Sequence, residues 1–299
     1  MISLQAFQKN RRSDQWYKDA LIRLLDRSCG RFLLGKIATR TAREQLGNDV
    51  EILYFDGLWT HRVGPNFFPD GAKFDYAHPK LAGWRGQIER YVADTNDHWL
   101  RYYRPREGDV IVDIGAGRGE DTLTFSRAVG NAGRVIAIEA HPLTFTFLKN
   151  FCLLNGLRNV TTLQIALMDK AGSVRIVESE SSWMENAIDY GNAAHGTEVT
   201  ATTLNDIFVQ QGLKDIAFLK MNIEGAERFA LLGMEPVLPH VRQICVACHD
   251  FRSGLGHGEH FRTRAFVENL LIKHGFKLAS RPDDPRDYVR DHVFGLRPQ

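Results

Sequence analysis

The strongest constraint on how this 299-residue chain folds is an apolar run that passes directly into a glycine-rich turn and a helix start. The run reads Asp109-Val-Ile-Val-Asp113-Ile-Gly115-Ala-Gly117-Arg-Gly119-Glu-Asp-Thr122. Glycine permits positive φ angles and close approach of a ligand to the backbone. The first turn of a helix offers free N–H donors. The segment therefore predicts a strand, a turn and a helix, with a ligand held at the turn.

The glycine spacing separates two classes of nucleotide site. A dinucleotide-binding turn has the pattern G-x-G-x-x-G, but here the third glycine comes one residue early and Glu120 stands in its place. That carboxylate would repel a pyrophosphate. The spacing G-x-G-x-G instead resembles motif I of class I methyltransferases, which implies a turn around the methionine part of S-adenosylmethionine; the alternative is a tight turn without a ligand. The predicted cofactor-binding residues here are Asp113, Gly115, Ala116, Gly117, Gly119, Glu120, Asp121 and Thr122.

A second acid supports a nucleoside site. Glu139 ends the next apolar run, about 20 residues after the glycines, where a ribose-binding acid is expected, and a carboxylate can accept hydrogen bonds from both ribose hydroxyls. Ala140 follows it. In class I methyltransferases the loop after the third strand edges the adenine, which here implies Ala166, Leu167 and Asp169. Asp169 either accepts from the adenine amino group or is a turn former before Gly172.

From about residue 97 onward, β-branched apolar runs alternate with amphipathic helical stretches, which is typical of a parallel sheet covered on both faces. The predicted strands are 110–114, 134–139, 160–165, 216–221 and 241–247, and helices are expected near 122–129, 143–155, 204–211, 226–232 and 259–274, with a final run at 288–296. The predicted fold class is α/β, a Rossmann-like class I methyltransferase sheet. It is mostly parallel with the last strand antiparallel, with helices on both faces and a small α+β N-terminal cap.

Residues 1–96 form the predicted cap. Residues 14–47 have helical spacing, with expected breaks at Gly30 and Gly35, and two β-like runs follow at 50–55 and 58–63. Aromatic residues are dense in this part and are expected mainly in the core of the cap. The basic helix is a candidate contact for a second copy of the chain, a partner or a membrane surface. Residues 97–299 form the predicted catalytic domain.

Three further motifs lie in the second part of the chain. They are Phe218-Leu-Lys-Met-Asn222-Ile-Glu224-Gly-Ala-Glu227, the upstream run Thr202-Thr-Leu-Asn-Asp-Ile, and the strand end Val246-Ala-Cys-His249-Asp. In sequence and in order, these motifs resemble those of the FkbM family of S-adenosylmethionine-dependent methyltransferases. Asn222 and Asn205 depart from it, because the family usually has Asp at both places. The neutral Asn222 cannot serve as a base or as a strong ligand for a hard cation, which weakens a metal-dependent mechanism, and no metal is expected.

Asn222, Glu224, His249 and Asp250 all fall at expected carboxyl ends of strands, where open α/β sheets bind ligands. His249 is the candidate general base because its ordinary pKa is about 6.5; the alternative is a structural histidine. Asp250 is a candidate to orient His249 and to bind the substrate. Glu224 either caps a helix or contacts acceptor hydroxyls, and Asn222 hydrogen-bonds the acceptor or the cofactor. The resemblance places the long polar segment 179–196 beside the active site. Its residues Trp183 and Tyr190 are candidates for stacking on an acceptor.

Composition and missing patterns exclude other classes. The formal net charge of +2 gives no electrostatic case for nucleic acid, and there is no Pro-Pro pair of the kind found in nucleic-acid N-methyltransferases. Cys245 and Cys248 lie three apart on an expected strand, on opposite faces, so they cannot chelate one ion. No signal peptide or run of about 18 apolar residues is present, and a cytoplasmic location is expected. The resemblance implies O-methylation of a sugar, polysaccharide or natural-product hydroxyl; the alternative is a catalytically silent cofactor-binding partner module.

Overall fold

A computed structural model of the protein describes residues 20–75, 78–177, 187–188 and 196–297. The chain divides into two compact units, Met1–Ile88 and Glu89–Gln299. The predicted boundary after residue 96 falls inside a helix at Gln87–His98, so the chain changes unit at the start of that helix. The assignment of the first unit as a cap or an oligomer contact stays a prediction. Within the described residues, no helix is both long and apolar enough to span a lipid bilayer.

The first unit packs one helix on a three-stranded antiparallel sheet. Gly30 precedes the helix as predicted, but Gly35 lies inside it, so the predicted break there is wrong. A Cβ atom at Gly35 would lie 2.9 Å from the carbonyl oxygen of Ile52. The glycine therefore lies where the helix approaches the sheet closely. The elements are α1 (Arg31–Leu46), β1 (Val50–Phe55), β2 (Leu58–Val63), β3 (Asn66–Gly71) and α2 (His78–Gly83), with strand order β1-β2-β3.

The second unit is built on a seven-stranded sheet, which contains the five predicted strands, the final run and one further strand at Lys277–Ala279 that was not predicted. Its strands are β4 (Val110–Ile114), β5 (Arg134–Ile138), β6 (Val160–Leu163), β11 (Ile216–Met221), β12 (Val241–Ala247), β13 (Lys277–Ala279) and β14 (His292–Leu296), in the order β13-β14-β12-β11-β4-β5-β6. The five strands from β12 to β6 pair in parallel, whereas β14 is antiparallel to both of its neighbours. The predicted fold class, including the antiparallel last strand, is confirmed.

Helices cover both faces of this sheet. Successive side chains of a strand point to opposite faces: Val112 and Leu219 join one buried cluster, while Ile111 and Phe218 join another. The helices are α3 (Gln87–His98), α4 (Glu120–Val129), α5 (Pro142–Leu154), α6 (Leu204–Gln210), α7 (Glu227–Met234), α8 (Asp250–Gly254), α9 (Arg264–Lys273) and α10 (Asp287–Arg290). The helix predicted over 259–274 begins only at Arg264, after a short 3-10 turn at Glu259–Phe261.

A second, smaller sheet lies in the same unit and was not predicted. Its strands are β7 (Ala166–Leu167), β8 (Gly172–Val177), β9 (Ala187–Ile188) and β10 (Thr197–Thr202), in the order β7-β10-β8-β9. Strand β8 is mostly exposed or half-buried, so it has no apolar run that would mark it in the sequence. Strand β10 leads into α6, whose start is fixed by a capping box between Thr203 and Asp206.

Candidate active site

A cavity of about 670 Å³ opens at the carboxyl ends of β4, β5, β11 and β12. This volume is typical of a small-molecule site. Most of the predicted site residues line it, although they come from segments far apart in the chain. Those lining the cavity are Gly115, Ala116, Gly117, Glu120, Asp121, Glu139, Ala140, Ala166, Leu167, Asn222, Glu224 and His249.

The glycine turn between β4 and α4 forms one wall. Gly115, Gly117 and Gly119 have φ angles of 70°, 58° and 101°, a region that residues with a side chain rarely adopt. A Cβ atom at Gly115 would lie 1.8 Å from the carbonyl oxygen of Asn222. The turn is also fixed to β5, because the N–H groups of Gly115 and Ala116 both donate to the carbonyl of Ile138, at 2.9 and 3.0 Å. The turn therefore presents bare backbone to the cavity.

Glu139 lies where the sequence predicts it, just after β5. Its carboxylate accepts hydrogen bonds from the backbone N–H groups of Gly117 at 3.0 Å and His141 at 2.9 Å. Burial raises the pKa of Glu139, while these two hydrogen bonds oppose that rise. Each carboxylate oxygen keeps lone pairs beyond these bonds, so the group can also accept from the two hydroxyls of a ribose.

Four of the predicted cofactor residues do not line the cavity. Asp113 is fully buried below the turn, where it accepts a hydrogen bond from the hydroxyl of Thr122 at 2.6 Å. Gly119 precedes α4 as its N-cap residue. These three residues therefore shape the turn from beneath. Asp169 is exposed and lies outside the lining, which favours its interpretation as a turn former over a contact to adenine.

A buried cluster of ionisable side chains lies just after β11 and β12. The ring of His249 lies between two carboxylates, with Nε2 3.1 Å from Glu224 Oε1 and Nδ1 2.9 Å from Glu227 Oε1. The second oxygen of Glu224 accepts from the guanidinium of Arg252. Burial disfavours the charged ring, but the Glu227 and Glu224 carboxylates outweigh it and raise the pKa of His249 to about 10. Hydrogen bonding by His249 and Arg252 lowers the pKa of Glu224 although burial opposes it.

This protonation state changes the expected chemistry of the cluster. At neutral pH, His249 is an imidazolium that donates from both nitrogens, and it has no free lone pair for a proton. The predicted role of His249 as a free base therefore does not follow from the geometry. Asp250, the predicted orienting group, instead accepts from the backbone N–H groups of Thr263 and Arg264 at the start of α9, both at 3.0 Å. The buried Glu227 contacts the ring in its place.

Glu224 stands in a rarely populated backbone conformation. Its φ angle is +53°, in the left-handed region that costs a residue with a Cβ atom roughly 1–2 kcal/mol. Such strain is found where a site needs a side chain in one orientation. Here it places the Glu224 carboxylate in the cavity wall beside His249.

Several lining residues were not predicted from the sequence. The helix α3 contributes Tyr91, Asp94, Thr95 and His98, and the chain around β14 contributes Tyr288 and His292. No local motif marks these residues. They come from α3, before the first strand of the large sheet, and from the segment around the last strand, and only the fold brings both to the cavity. Trp183 and Tyr190, the predicted stacking residues, lie outside the described residues.

The two additional histidines are uncharged. His98 accepts a hydrogen bond from Arg286 at 2.9 Å, and burial together with that guanidinium lowers its pKa. Burial lowers the pKa of His292 to about 3, and its ring stacks on Trp99 with centroids 4.5 Å apart. Both rings are therefore neutral parts of the wall at neutral pH.

The polar groups of the cavity suit a cationic ligand. The carboxylates that line it are those of Asp94, Glu120, Asp121, Glu139 and Glu224. Asn222 adds a buried amide oxygen that has no hydrogen-bond partner in the described part of the chain. The cationic side chains of Lys220 and His249 also line the cavity, but each is paired with carboxylates of the protein. The remaining carboxylates match the ammonium and sulfonium groups of S-adenosylmethionine, while bare glycine backbone and Glu139 match its nucleoside. Across the described ranges, no group of three or more His, Cys, Asp or Glu side chains is arranged to hold a metal ion.

Comparison with known proteins adds independent findings. The family described as "Methyltransferase FkbM domain" matches residues 113–278, more than half of the chain. The curated 31-O-demethyl-FK506 methyltransferase FkbM of Streptomyces tacrolimicus is 25% identical over 209 residues, which cover 60% of this chain and 76% of that protein. The uncharacterized protein YpiP of Bacillus subtilis is 34% identical over 79 residues, 26% of this chain and 30% of that protein. The crystal structure of methyltransferase FkbM from Methylobacillus flagellatus aligns with a TM-score of 0.42 at 15% identity, covering 73% of this chain and 59% of that one.

Proposed function

This chain belongs to the FkbM methyltransferase family and uses S-adenosylmethionine as its cofactor; on that basis we propose that it methylates a hydroxyl group of a sugar, a polysaccharide or a natural-product intermediate. The observation that carries the proposal is the Glu224–His249–Glu227 cluster, which adjoins the glycine turn at the carboxyl ends of β11 and β12. It supplies an ionised carboxylate where an acceptor would meet the cofactor.

Methylation of a hydroxyl makes two demands on the protein. The bound cofactor supplies a methyl group that is already activated by its sulfonium. The protein must hold the acceptor oxygen in line with that group at about 3–3.5 Å, and it must remove the hydroxyl proton as the new bond forms. The side chain that takes the proton must lie in the cavity and be ionised before the reaction.

We assign the proton-accepting role to Glu224. Its carboxylate lines the cavity, and hydrogen bonds from His249 and Arg252 keep it ionised at neutral pH. His249 is then a positioning residue: its imidazolium fixes Glu224 on one side and is itself fixed by the buried Glu227. Asn222 also lines the cavity, and its buried amide oxygen has no hydrogen-bond partner in the described part of the chain.

Two further observations support a hydroxyl acceptor of moderate size. Tyr91, Trp99, Phe251 and Tyr288 bring aromatic side chains to the cavity, and aromatic faces pack well against sugar and other ring surfaces. The Streptomyces relative is named as a methyltransferase of 31-O-demethyl-FK506.

The proposal is tested in two stages with Glu224→Gln and the control Glu235→Gln, which removes a partly exposed carboxylate outside the cavity that pairs with Lys273 and His274. Calorimetry with S-adenosylhomocysteine should give the same affinity within about threefold for the wild type and both variants, because neither side chain holds the cofactor. Transfer of labelled methyl to candidate sugars and natural-product hydroxyls should fall at least about a hundredfold in Glu224→Gln alone. Unchanged turnover in Glu224→Gln would remove Glu224 from the mechanism. If the methyl-transfer rate of the wild type rises with pH up to about 10, the proton-accepting role belongs to His249 instead.

A second candidate function is a cofactor-binding partner module without catalysis. It is favoured by Asn222, which stands where the family usually has Asp. Binding of S-adenosylhomocysteine without methyl transfer to any hydroxyl acceptor would support this function. Absence of binding would contradict both candidates.

A further inference from the structure

A buried lysine at the end of β11 has no part in the function described above. Lys220 is 1% exposed and lines the cavity on the side of the glycine turn. A lysine this deep in a protein is rarely found unless its charge is paired. Its surroundings therefore indicate what it does.

The ammonium group of Lys220 joins the turn to two carboxylates. Its Nζ donates to the carbonyl oxygen of Gly115 at 2.6 Å and lies 3.0 Å from Asp113 Oδ1 and 3.7 Å from Asp121 Oδ2. The ring centre of Trp99 is 5.1 Å away. All of these acceptors belong to the protein, so the ammonium is occupied in holding the wall.

Each of the two carboxylates is anchored a second time. The hydroxyl of Thr122 in α4 donates to Asp113 at 2.6 Å, and that of Thr95 in α3 donates to Asp121 at 2.7 Å. One ammonium therefore connects β11, the turn after β4, α4 and α3. Burial alone would lower the pKa of Lys220, but Asp113 and Asp121 raise it, so the group stays charged.

The contacts of Lys220 occupy one half of the site. Strand β4 lies between β11 and β5 in the sheet. Lys220 acts on the β4–β11 side through Gly115, whereas Glu139 acts on the β5 side through Gly117 and His141. The two halves of a nucleoside–amino-acid ligand would thus be held by separate sets of hydrogen bonds.

We propose that Lys220 is a positioning residue for the amino-acid half of the cofactor, which it serves by fixing the Gly115 carbonyl and the Asp113 and Asp121 carboxylates. The nucleoside half is held independently around Glu139. The inference rests on the assignment of S-adenosylmethionine as the cofactor, and not on the identity of the acceptor.

The test compares two ligands that share the nucleoside and the thioether. S-adenosylhomocysteine carries the amino-acid half, and 5′-methylthioadenosine lacks it. Lys220→Met keeps the length of the side chain and removes the charge. Lys214→Met is the matched control, because Lys214 is an exposed lysine just before the same strand. Calorimetry should show that Lys220→Met lowers the affinity for S-adenosylhomocysteine at least about tenfold and the affinity for 5′-methylthioadenosine by less than about threefold. The control should change neither affinity.

Each other result is informative. Equal losses for both ligands would mean that Lys220 supports the whole site as a scaffold, and unchanged affinities would mean that it positions nothing; either overturns the proposal. If the wild type binds neither ligand, the cofactor assignment itself fails. Should Lys220→Met not fold by circular dichroism, Thr95→Val decides, because it removes one of the two anchors of Asp121 and leaves every charge in place. In Thr95→Val the affinity for S-adenosylhomocysteine should fall at least about threefold, and the affinity for 5′-methylthioadenosine should not change. An unchanged affinity for S-adenosylhomocysteine overturns the proposal.

Discussion

Gly115 allows a quantitative test of how tightly the glycine turn is packed. Its φ angle is +70°, and an added Cβ atom would lie 1.8 Å from the carbonyl oxygen of Asn222, against about 3.5–4.0 Å for an ordinary contact. Gly156 has nearly the same φ angle, +69°, but nothing lies within 4 Å of its Cβ position. Gly156→Ala therefore carries only the cost of a left-handed alanine, whereas Gly115→Ala adds a clash with backbone.

The two costs can be separated. A left-handed alanine destabilises by about 1–2 kcal/mol, and forcing an atom into an occupied space adds a further ~1–3 kcal/mol. We expect urea denaturation to show a loss of about 1–2 kcal/mol for Gly156→Ala and about 2–5 kcal/mol for Gly115→Ala, with equal dependence on urea concentration. Calorimetry should show unchanged affinity for S-adenosylhomocysteine in Gly156→Ala. It should show no binding in Gly115→Ala, because the glycine turn must move to make room for the added methyl group.

The outcome that would refute this reasoning is specific. If Gly115→Ala loses no more stability than Gly156→Ala, the contact between the turn and the chain after β11 is not close. If Gly115→Ala binds S-adenosylhomocysteine as the wild type does, the turn is not the cofactor wall.

Three further outcomes follow from the charges of the site. Burial raises the pKa of Glu120 to about 7, so the carboxylate gains its charge as pH rises through 7. The affinity for cationic S-adenosylmethionine should therefore increase between about pH 6 and pH 8, and the same increase in Glu120→Gln would contradict this. The pKa of His249 is raised from 6.5 to about 10, so its contribution to stability is complete below the lower value and is lost as pH rises toward the upper one; the urea midpoint should fall across that window less in His249→Gln than in the wild type, and equal falls would count against it. Glu139→Gln should weaken 5′-methylthioadenosine about tenfold by calorimetry, because only one oxygen remains for two N–H donors and the ribose; unchanged affinity would place the ribose elsewhere.

Local patterns were enough to predict the parallel sheet and two of the segments that line the cavity. The Gly115–Gly119 turn and Glu139 follow directly from apolar strands, and the chain needs only about 20 residues to bring them together. Strand β8 was missed because it is too exposed to show an apolar run. The break predicted at Gly35 was wrong because packing on β1 favours helix there over the intrinsic tendency of glycine.

The charge state of His249 could not be read from the sequence. Its ordinary pKa predicted a base, but its environment is set by Glu227, 22 residues away along the chain. The same holds for Lys220, whose bond to Gly115 spans 105 residues. The identities of these side chains were visible in the sequence, and the pairings that define their chemistry depend on how distant strands meet.

The strand order also sets a sequence of events during folding. The segment from β4 to β5 closes the Gly117–Glu139 contact over 22 residues, whereas β11 must return across more than a hundred residues to pair with β4. Closing longer loops costs more entropy and slows assembly. We expect pulsed hydrogen exchange during refolding to protect the amide of Gly117 before that of Asn222, which donates to Ile114. A partly folded domain would then bind the adenosine half of the cofactor before it could bind the amino-acid half.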